Sequence, residues 1–239
     1  MSGLIRPLAL AGDRLLPVVP ALAGLLPDRG LRRGSTVAVS QAGPGQGATS
    51  LALTLVTAAS AAGSWCAMVA VPDLGLVAAA AAGLDLSRVT LVPEVTPAQW
   101  AAVVGVLVDT VDVVMVNPPP HLRIGDSRRL TTRVRERSAV LVTLGPWPEG
   151  VDLRLVVEAS HWHGPGAGDG RLERRQVEVM ASGRGAASRP KRQVLWLPAS
   201  DGGVAIGGPV PFAGADVESG AADAGLLGTV RSPAVATAG

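Results

Sequence analysis

The sequence has almost no lysine and very few aromatic side chains. Of its 239 residues only Lys191 is a lysine, and the chain has no tyrosine, one phenylalanine and five tryptophans. Valine, leucine and alanine must therefore build the hydrophobic core, and a site that needs a lysine has only Lys191 to draw on. The single cysteine, Cys66, excludes an internal disulfide and a cysteine-based zinc cluster, and is typical of a reducing compartment.

Charged residues are also scarce, at 17% of the chain, and none occurs between Arg33 and Asp73. The apolar run 51–72 is long enough for a membrane span, but Gly63 and Ser64 interrupt it and it contains threonine and serine. A buried helix followed by a buried strand explains the run better, because parallel sheets covered on both faces produce such sequences. The start of the chain has no pattern of a secretory signal, so the sequence predicts a cytoplasmic protein without a membrane contact.

The predicted elements alternate between strands and helices as in an α/β protein. This alternation predicts a mostly parallel sheet with helices on both faces, and a later hairpin adds antiparallel strands at the C-terminal side. The predicted strands are 36–40, 65–71, 89–92, 111–116, 139–144 and 151–159. A predicted hairpin, formed by 154–162 and 171–180, overlaps the last of these, and a further strand is predicted at 193–197. The predicted helices are 21–26, 48–62, 74–82, 97–108 and a helix that Ser127 caps and that extends to Arg137.

Composition divides the chain into three regions. Residues 1–28 are apolar but broken by prolines, and they predict an N-terminal arm that packs on the domain itself or on a neighbouring molecule. Residues 29–198 form the predicted core. Residues 199–239, rich in glycine, alanine, serine and proline, predict a disordered, mildly acidic tail that is suited to a partner.

A glycine-rich segment after the first core strand has the clearest chemical meaning. The strand leads into Gly43, Gly45 and Gly47, and a helix follows at once. This order is typical of a P-loop, in which backbone N–H groups and a helix N-terminus face a phosphate. The P-loop also needs a lysine after its last glycine, and Ala48 occupies that position before Thr49. The segment therefore predicts a vestigial loop, which keeps the scaffold of a nucleotide site without its charge.

Two positions at strand ends decide whether this loop has catalytic partners, because ligands of open parallel sheets bind at the carboxyl ends of the strands. Asn117 follows a strand where a P-loop ATPase has an aspartate for magnesium. Pro72 stands where a carboxylate that activates water is expected, and Asp73 is better explained as a helix cap. The sequence thus predicts no catalytic residue, no metal site and no bound cofactor.

Arginines are concentrated in two stretches that are candidates for contact with DNA or an acidic partner. The first lies on the predicted helix after Ser127, and its alternative explanation is a solvated helix face. The second surrounds the hairpin and the strand after it, and only Trp196 lies near it in sequence, so no stacking platform for single strands is expected. The candidates are Arg128, Arg129, Arg133, Arg137, Arg174, Arg175, Arg189, Lys191 and Arg192.

Several segments, in the same order along the chain, resemble the ATPase core of RecA. The motifs LRRG before the first core strand, GPGQGATSLAL in the loop and VDVVMV in the fourth strand carry this resemblance, which covers roughly residues 25–145. It places the P-loop lysine on Ala48, the catalytic glutamate on Pro72 and the Walker-B aspartate on Asn117, and it retains Thr49. The resemblance therefore implies a RecA-like fold in a pseudo-ATPase.

A RecA-like core that lacks these catalytic positions, in a short chain with a WHG…GDGRL hairpin, resembles the ImuA family and its actinobacterial ImuA-prime branch. The resemblance implies a non-catalytic adaptor in DNA-damage-induced, error-prone translesion synthesis. Its implied partners are ImuB, an inactive Y-family polymerase relative, and an error-prone DnaE-type polymerase. It further implies nucleoid association during DNA damage, weak DNA contact, and contact of the N-terminal arm with RecA or a second copy.

Two other functions stay open at this point. One is a weak ATP-binding, RecA-like switch that uses the backbone N–H groups of the glycine-rich loop. The other is an inhibitor of cell division, because SulA-type inhibitors share a RecA-like scaffold without catalysis.

Overall fold

The computed structural model describes residues 14–71, 74–164 and 171–208. Its strands are β1 (Leu15–Leu16), β2 (Leu31–Arg32), β3 (Thr36–Gln41), β4 (Cys66–Val69), β5 (Val89–Val92), β6 (Val113–Val116), β7 (Val140–Leu144), β8 (Leu153–His163), β9 (Arg174–Gly183), β10 (Lys191–Trp196) and β11 (Ala205–Ile206). Its α-helices are α1 (Pro20–Ala23), α2 (Ala48–Ala61), α3 (Leu76–Ala81), α4 (Pro97–Thr110) and α5 (Ile124–Arg137).

Nine of the strands form one sheet, in the order β11-β10-β9-β8-β3-β7-β6-β4-β5. The strands from β8 to β5 in this order pair in parallel, whereas β9, β10 and β11 pair antiparallel. Strands that follow helices are parallel because each helix returns the chain to the starting edge of the sheet. The predicted mostly parallel sheet with antiparallel additions at the C-terminal side is confirmed.

Helices cover both faces of the parallel strands, as predicted. On one face, α1, α2 and α3 pack against the sheet, and Leu51 and Leu55 of α2 are fully buried there. On the other face, α4 and α5 bury Trp100, Val104 and Val134. The sheet therefore separates two apolar cores, which explains why its central strands are almost entirely apolar on both faces.

The uncharged run of the sequence forms α2 and β4, and both are buried. All four residues of β4 are buried, and β4 pairs with a strand on each side. The hydroxyl groups of Thr54 and Thr57 donate hydrogen bonds to backbone carbonyls of their own helix, at 2.8 and 3.0 Å. Such internal bonds allow polar side chains in a buried helix. Within the described ranges, no helix combines the length and the hydropathy that crossing a bilayer requires.

Cys66 lies in β4 and is 1% exposed, so it is a small buried side chain of the sheet. Burial, followed by the nearby charge of Asp112, raises the pKa of its thiol to about 12. The thiolate is the reactive form of cysteine, so Cys66 is unreactive in the folded protein at neutral pH.

The structure differs from the sequence prediction at the start of α5. This helix begins at Ile124, and Ser127 is buried inside it instead of capping it. The Ser127 hydroxyl donates to the Ile124 carbonyl at 2.9 Å, so a polar residue that favours a cap is satisfied within the helix. Leu130 and Val134 face the core, as their spacing of four predicts.

Parts of the two predicted end regions belong to the folded core. Within the predicted arm 1–28, residues 1–13 lie outside the described residues, whereas Leu22 and Leu25 are buried against the sheet. Within the predicted tail 199–239, residues 209–239 lie outside the described residues, but β11 pairs with β10. A pattern of two strand residues is too short to detect in a glycine-rich sequence, so the predicted boundary at residue 199 does not take β11 into account.

Candidate functional site

The glycine-rich loop lies between β3 and α2, at the edge of the sheet where the parallel strands end. Gly45 has a φ of +72° and Gly47 a φ of +105°, backbone angles that residues with a side chain rarely adopt. Gly47 is also the N-cap of α2, so the N-terminus of this helix meets the loop. Strand, loop and helix thus follow one another in the order typical of a P-loop.

Three backbone donors of this loop already have acceptors within the chain. Oε1 of Gln41 accepts hydrogen bonds from the N–H groups of Gly47 and Ala48, at 3.0 and 3.1 Å. Oε1 of Gln46 accepts from the N–H group of Gly43 at 3.0 Å. Backbone N–H groups of such a loop are the donors that a P-loop offers to phosphate. A phosphate must therefore displace the Gln41 side chain before it binds here.

An arginine from the hairpin contacts the same loop. Arg175 of β9 is only 5% exposed, and its guanidinium lies so close to Gly47 that an added methyl group there would overlap it. Its Nε donates to the carbonyl of Leu197 at 2.7 Å, and its Nη2 donates to Oγ of Ser50 at 3.0 Å. Burial lowers the pKa of this guanidinium from its usual value.

This position changes two expectations from the sequence. Arg175 was a candidate for contact with DNA or a partner, but its side chain is buried inside the protein. It also places a cation beside the loop, although no lysine is near the loop in sequence. Pairing of β9 with β8, next to β3, brings Arg175 to the loop, and no local sequence pattern indicates that pairing. Gln41 was missed as well, because one glutamine at a strand end is not a motif.

A cleft of about 560 Å³ opens beside the loop, where the carboxyl ends of β3, β6 and β7 meet the start of α2. Ala48, Thr49 and Asn117 all line it, so the structure brings together the positions that the RecA resemblance singles out. None of the described residues that line the cleft carries a charge. Pro72 lies outside the described residues. A magnesium triphosphate would therefore meet no charged side chain in the described lining of this cleft.

The arginines of α5 are engaged in ion pairs with acidic residues of the same chain. Pairs of this kind fit the solvated helix face that the sequence left open as an alternative to a DNA contact, because each carboxylate offsets part of the positive charge. The pairs are Arg128 with Glu149 (Nη2 to Oε1, 2.8 Å), Arg129 with Asp126 (3.9 Å), Arg133 with Asp109 (Nε to Oδ1, 2.7 Å), Arg135 with Asp152 (3.5 Å) and Arg137 with Asp109 (3.0 Å).

The pair of arginines on Asp109 predicts a pH-dependent contribution to stability. The hydrogen bond from Arg133, followed by the charges of Arg133 and Arg137, lowers the pKa of Asp109 from 3.8 to about 2. Because the folded pKa lies below the ordinary one, the contribution is present above the ordinary pKa and is lost as the pH falls through about 2. We expect Asp109→Asn to lower the urea midpoint at pH 7 and to match the parent below pH 2. Asp28→Asn, at an exposed position, is the control; equal shifts for both variants would contradict the prediction.

The second basic stretch does not form one cluster in the folded protein. Arg192 pairs with Glu158 at 2.8 Å, and Nζ of Lys191 donates to the carbonyl of Gly24 at 3.0 Å. Arg189 is exposed after β9, and Arg174 lies over the ring of Trp196. Alternation of side chains along the strands sends neighbouring residues to opposite faces, which disperses a stretch that is dense in sequence.

Comparisons with known proteins identify a domain family and a relative of this chain. A sequence model of the MT3502 N-terminal domain matches residues 24–149. The uncharacterized protein Rv3395c of Mycobacterium tuberculosis (strain ATCC 25618 / H37Rv) is 34% identical over 157 residues, which is 58% of this chain and 71% of that protein. The range that the domain model matches contains the glycine-rich loop, Asn117 and α5, and it ends before β8 begins.

Proposed function

The chain belongs to the MT3502 N-terminal domain family, and we propose that it is a non-catalytic, RecA-like adaptor of the ImuA-prime type. In this role it acts in DNA-damage-induced, error-prone translesion synthesis in the cytoplasm. It bridges an ImuB-type inactive polymerase and an error-prone DnaE-type polymerase, and these partners bring it to the nucleoid after damage. The resemblance of the sequence to ImuA proteins supports the partners, and the geometry of the glycine-rich loop supports the absence of catalysis.

The observation that carries the proposal is the occupation of the loop by Gln41. Its side-chain oxygen accepts from the N–H groups of Gly47 and Ala48, so these two donors are satisfied without an anion. Charge-assisted contacts supply most of the affinity of a P-loop for phosphate, and Ala48 supplies none. Arg175 is not at the position of the P-loop lysine, and two of its five donors bind Leu197 and Ser50 inside the protein.

Titration with ATP and magnesium, followed by calorimetry, tests the absence of a nucleotide site. We expect no saturable heat up to millimolar ATP and no release of phosphate, because the described cleft lining has no charge to hold the triphosphate or the metal. Thr49→Ala is the matched variant, since it removes the polar P-loop residue that the chain retains. If the parent chain binds ATP with micromolar affinity and Thr49→Ala abolishes that binding, the proposal of an adaptor without a nucleotide site is rejected. The ATP-binding switch is then favoured.

Removal of residues 209–239 tests where the ImuB-type partner binds. The described fold reaches Gly208, whose carbonyl accepts from Nε2 of Gln176 at 2.9 Å. A chain that ends at Gly208 keeps this contact and β11, so we expect its stability to change by less than about 0.5 kcal/mol. We expect damage-induced mutagenesis and co-purification with the partner to be lost, because the removed residues have the composition of a partner-binding tail.

The full chain from damaged cells is the control for this truncation. If the shortened chain still supports mutagenesis, the tail is not the binding segment. If the full chain co-purifies with neither polymerase, the adaptor role itself is rejected.

A further inference from the structure

The hairpin of β8 and β9 projects beyond the sheet edge that carries the glycine-rich loop. Pairing of β3 with β8 ends at Gln41 and Val157, whereas β8 continues to His163. Six further residues at about 3.3 Å each extend the hairpin by roughly 20 Å. An irregularity between Val157 and Ala159 shifts the register at this point. Such bulges bend a strand and change the direction of its side chains. The two faces of the projecting part therefore do not continue the two faces of the sheet.

The outer face of the projecting part carries a ladder of rings and one guanidinium. His163 is paired with Arg174, and Gln176 is paired with both His161 and Trp196, so these residues share a face. The rings of His161 and His163 are 4.9 Å apart between centroids, and those of His163 and Trp196 are also 4.9 Å apart. The Arg174 guanidinium lies 4.3 Å from the centroid of the Trp196 ring.

This ladder bears on the expectation that no stacking platform accompanies the second basic stretch. The expectation came from sequence distance, since Trp196 is the nearest aromatic residue after that stretch. Antiparallel pairing of three strands places His163 beside Trp196 and His161 beside His163, and both ring pairs meet edge to face. His161 and Arg174 are exposed. On the opposite face Trp162 is 37% exposed and lies 5.0 Å from the Arg175 guanidinium.

The rings, more than the charges, distinguish between two kinds of partner. Arg174 has no carboxylate within ion-pair distance among the described residues, unlike the arginines of α5. Glu178 lies on the same face, and Arg192 there is already paired with Glu158, so the charge of this face disfavours an acidic peptide and a phosphate backbone alike. A base also offers a flat π face for the rings, which an acidic side chain lacks, and Arg174 is the cation for the adjacent phosphate.

We propose that the outer face of this hairpin binds the unpaired bases of a single-stranded nucleic acid. Bases stack on His161 and against the Trp196–Arg174 pair, and the Arg174 guanidinium contacts the backbone phosphate between them. The contact is independent of base identity, because stacking uses the π face that every base has. This activity does not depend on the polymerase partners of the proposed adaptor role, so each can fail without the other.

Fluorescence anisotropy with a labelled 20-nucleotide thymidine strand and the full chain tests the proposal. We expect binding that weakens as salt increases, since phosphate contacts release counterions. His161→Ala and Arg174→Ala are each expected to weaken binding about tenfold. His161→Trp keeps a stacking surface and should bind at least as tightly as the parent. Arg129→Ala, which removes an 87% exposed arginine of α5, is the matched loss of charge and should change binding less than about twofold.

Four results would overturn the proposal. They are no binding at low salt, equal affinity for duplex DNA of the same length, equal weakening by Arg129→Ala and Arg174→Ala, and displacement of the strand by polyglutamate without sensitivity to His161→Ala. The last result would identify the hairpin as a surface for acidic proteins. Thermal unfolding of each variant, monitored by circular dichroism, shows that a loss of binding is not a loss of fold.

Discussion

Replacing Arg175 with alanine is expected to destabilise the protein by about 3 kcal/mol, because its buried guanidinium joins the hairpin to the glycine-rich loop. The substitution leaves the Leu197 carbonyl without its 2.7 Å donor and the Ser50 hydroxyl without its 3.0 Å donor. It also removes a side chain that is packed against Gly47 and the ring of Trp162, which leaves a cavity. Urea unfolding at neutral pH measures the change.

Two further variants separate the contributions of Arg175. Arg175→Met keeps most of the volume without the charge, and apolar replacements of buried charges are often tolerated, so we expect less than half of the alanine effect. Arg174→Ala removes the neighbouring exposed arginine and should cost less than about 1 kcal/mol. If Arg175→Ala is no more destabilising than Arg174→Ala, the guanidinium does not hold the hairpin to the loop.

Replacing Trp100 with alanine is expected to destabilise the protein by about 3–5 kcal/mol. Trp100 of α4 is 1% exposed, and its ring lies 6.2 Å from that of Trp147 at an angle of 49°. Its Nε1 donates to the backbone carbonyl of Asn117 at 3.1 Å, so it also holds the strand end that lines the cleft. Loss of the ring removes the centre of the second core and leaves the Asn117 carbonyl without this donor.

Trp100→Phe and Trp65→Ala are the controls for this measurement. Phenylalanine keeps most of the buried ring but donates no hydrogen bond, so we expect roughly 1–2 kcal/mol from the unpaired carbonyl and the smaller ring. Trp65 is 46% exposed. We therefore expect Trp65→Ala to lower the free energy of unfolding less than Trp100→Ala does, by about 2 kcal/mol or more. Similar values for both alanine variants would show that the second core tolerates a cavity of this size.

The histidines and arginines of this chain illustrate how weakly sequence density predicts a surface. The five arginines of α5 are spread over ion pairs, four of them with acids outside this helix and one with Asp126 inside it. In contrast, two histidines separated by one residue lie on one face near Trp196, which is far away in sequence. A helix places residues on all sides, but a strand places every second residue on one face. On the hairpin, His161 and His163 therefore share one face, whereas the adjacent Arg174 and Arg175 are sent to opposite faces.

Local pattern alone determined most of the architecture and the loss of the P-loop lysine. The uncharged run predicts α2 and β4 because a buried helix and a central strand both exclude charge, and Leu130 and Val134 predict the buried face of α5 by their spacing. The sequence also shows Ala48 at the position of the P-loop lysine and Asn117 at the position of the Walker-B aspartate. Each of these features depends on residues within one element or at one strand end.

Only the tertiary structure decided what occupies the glycine-rich loop and what the hairpin presents. Arg175 reaches Gly47, and Trp196 reaches His163, through the order and register of strands that are far apart in sequence. Gln41 fills the loop because the backbone turns its N–H groups toward the end of β3. Strand order and register follow from the burial of whole faces, and no local pattern contains that information.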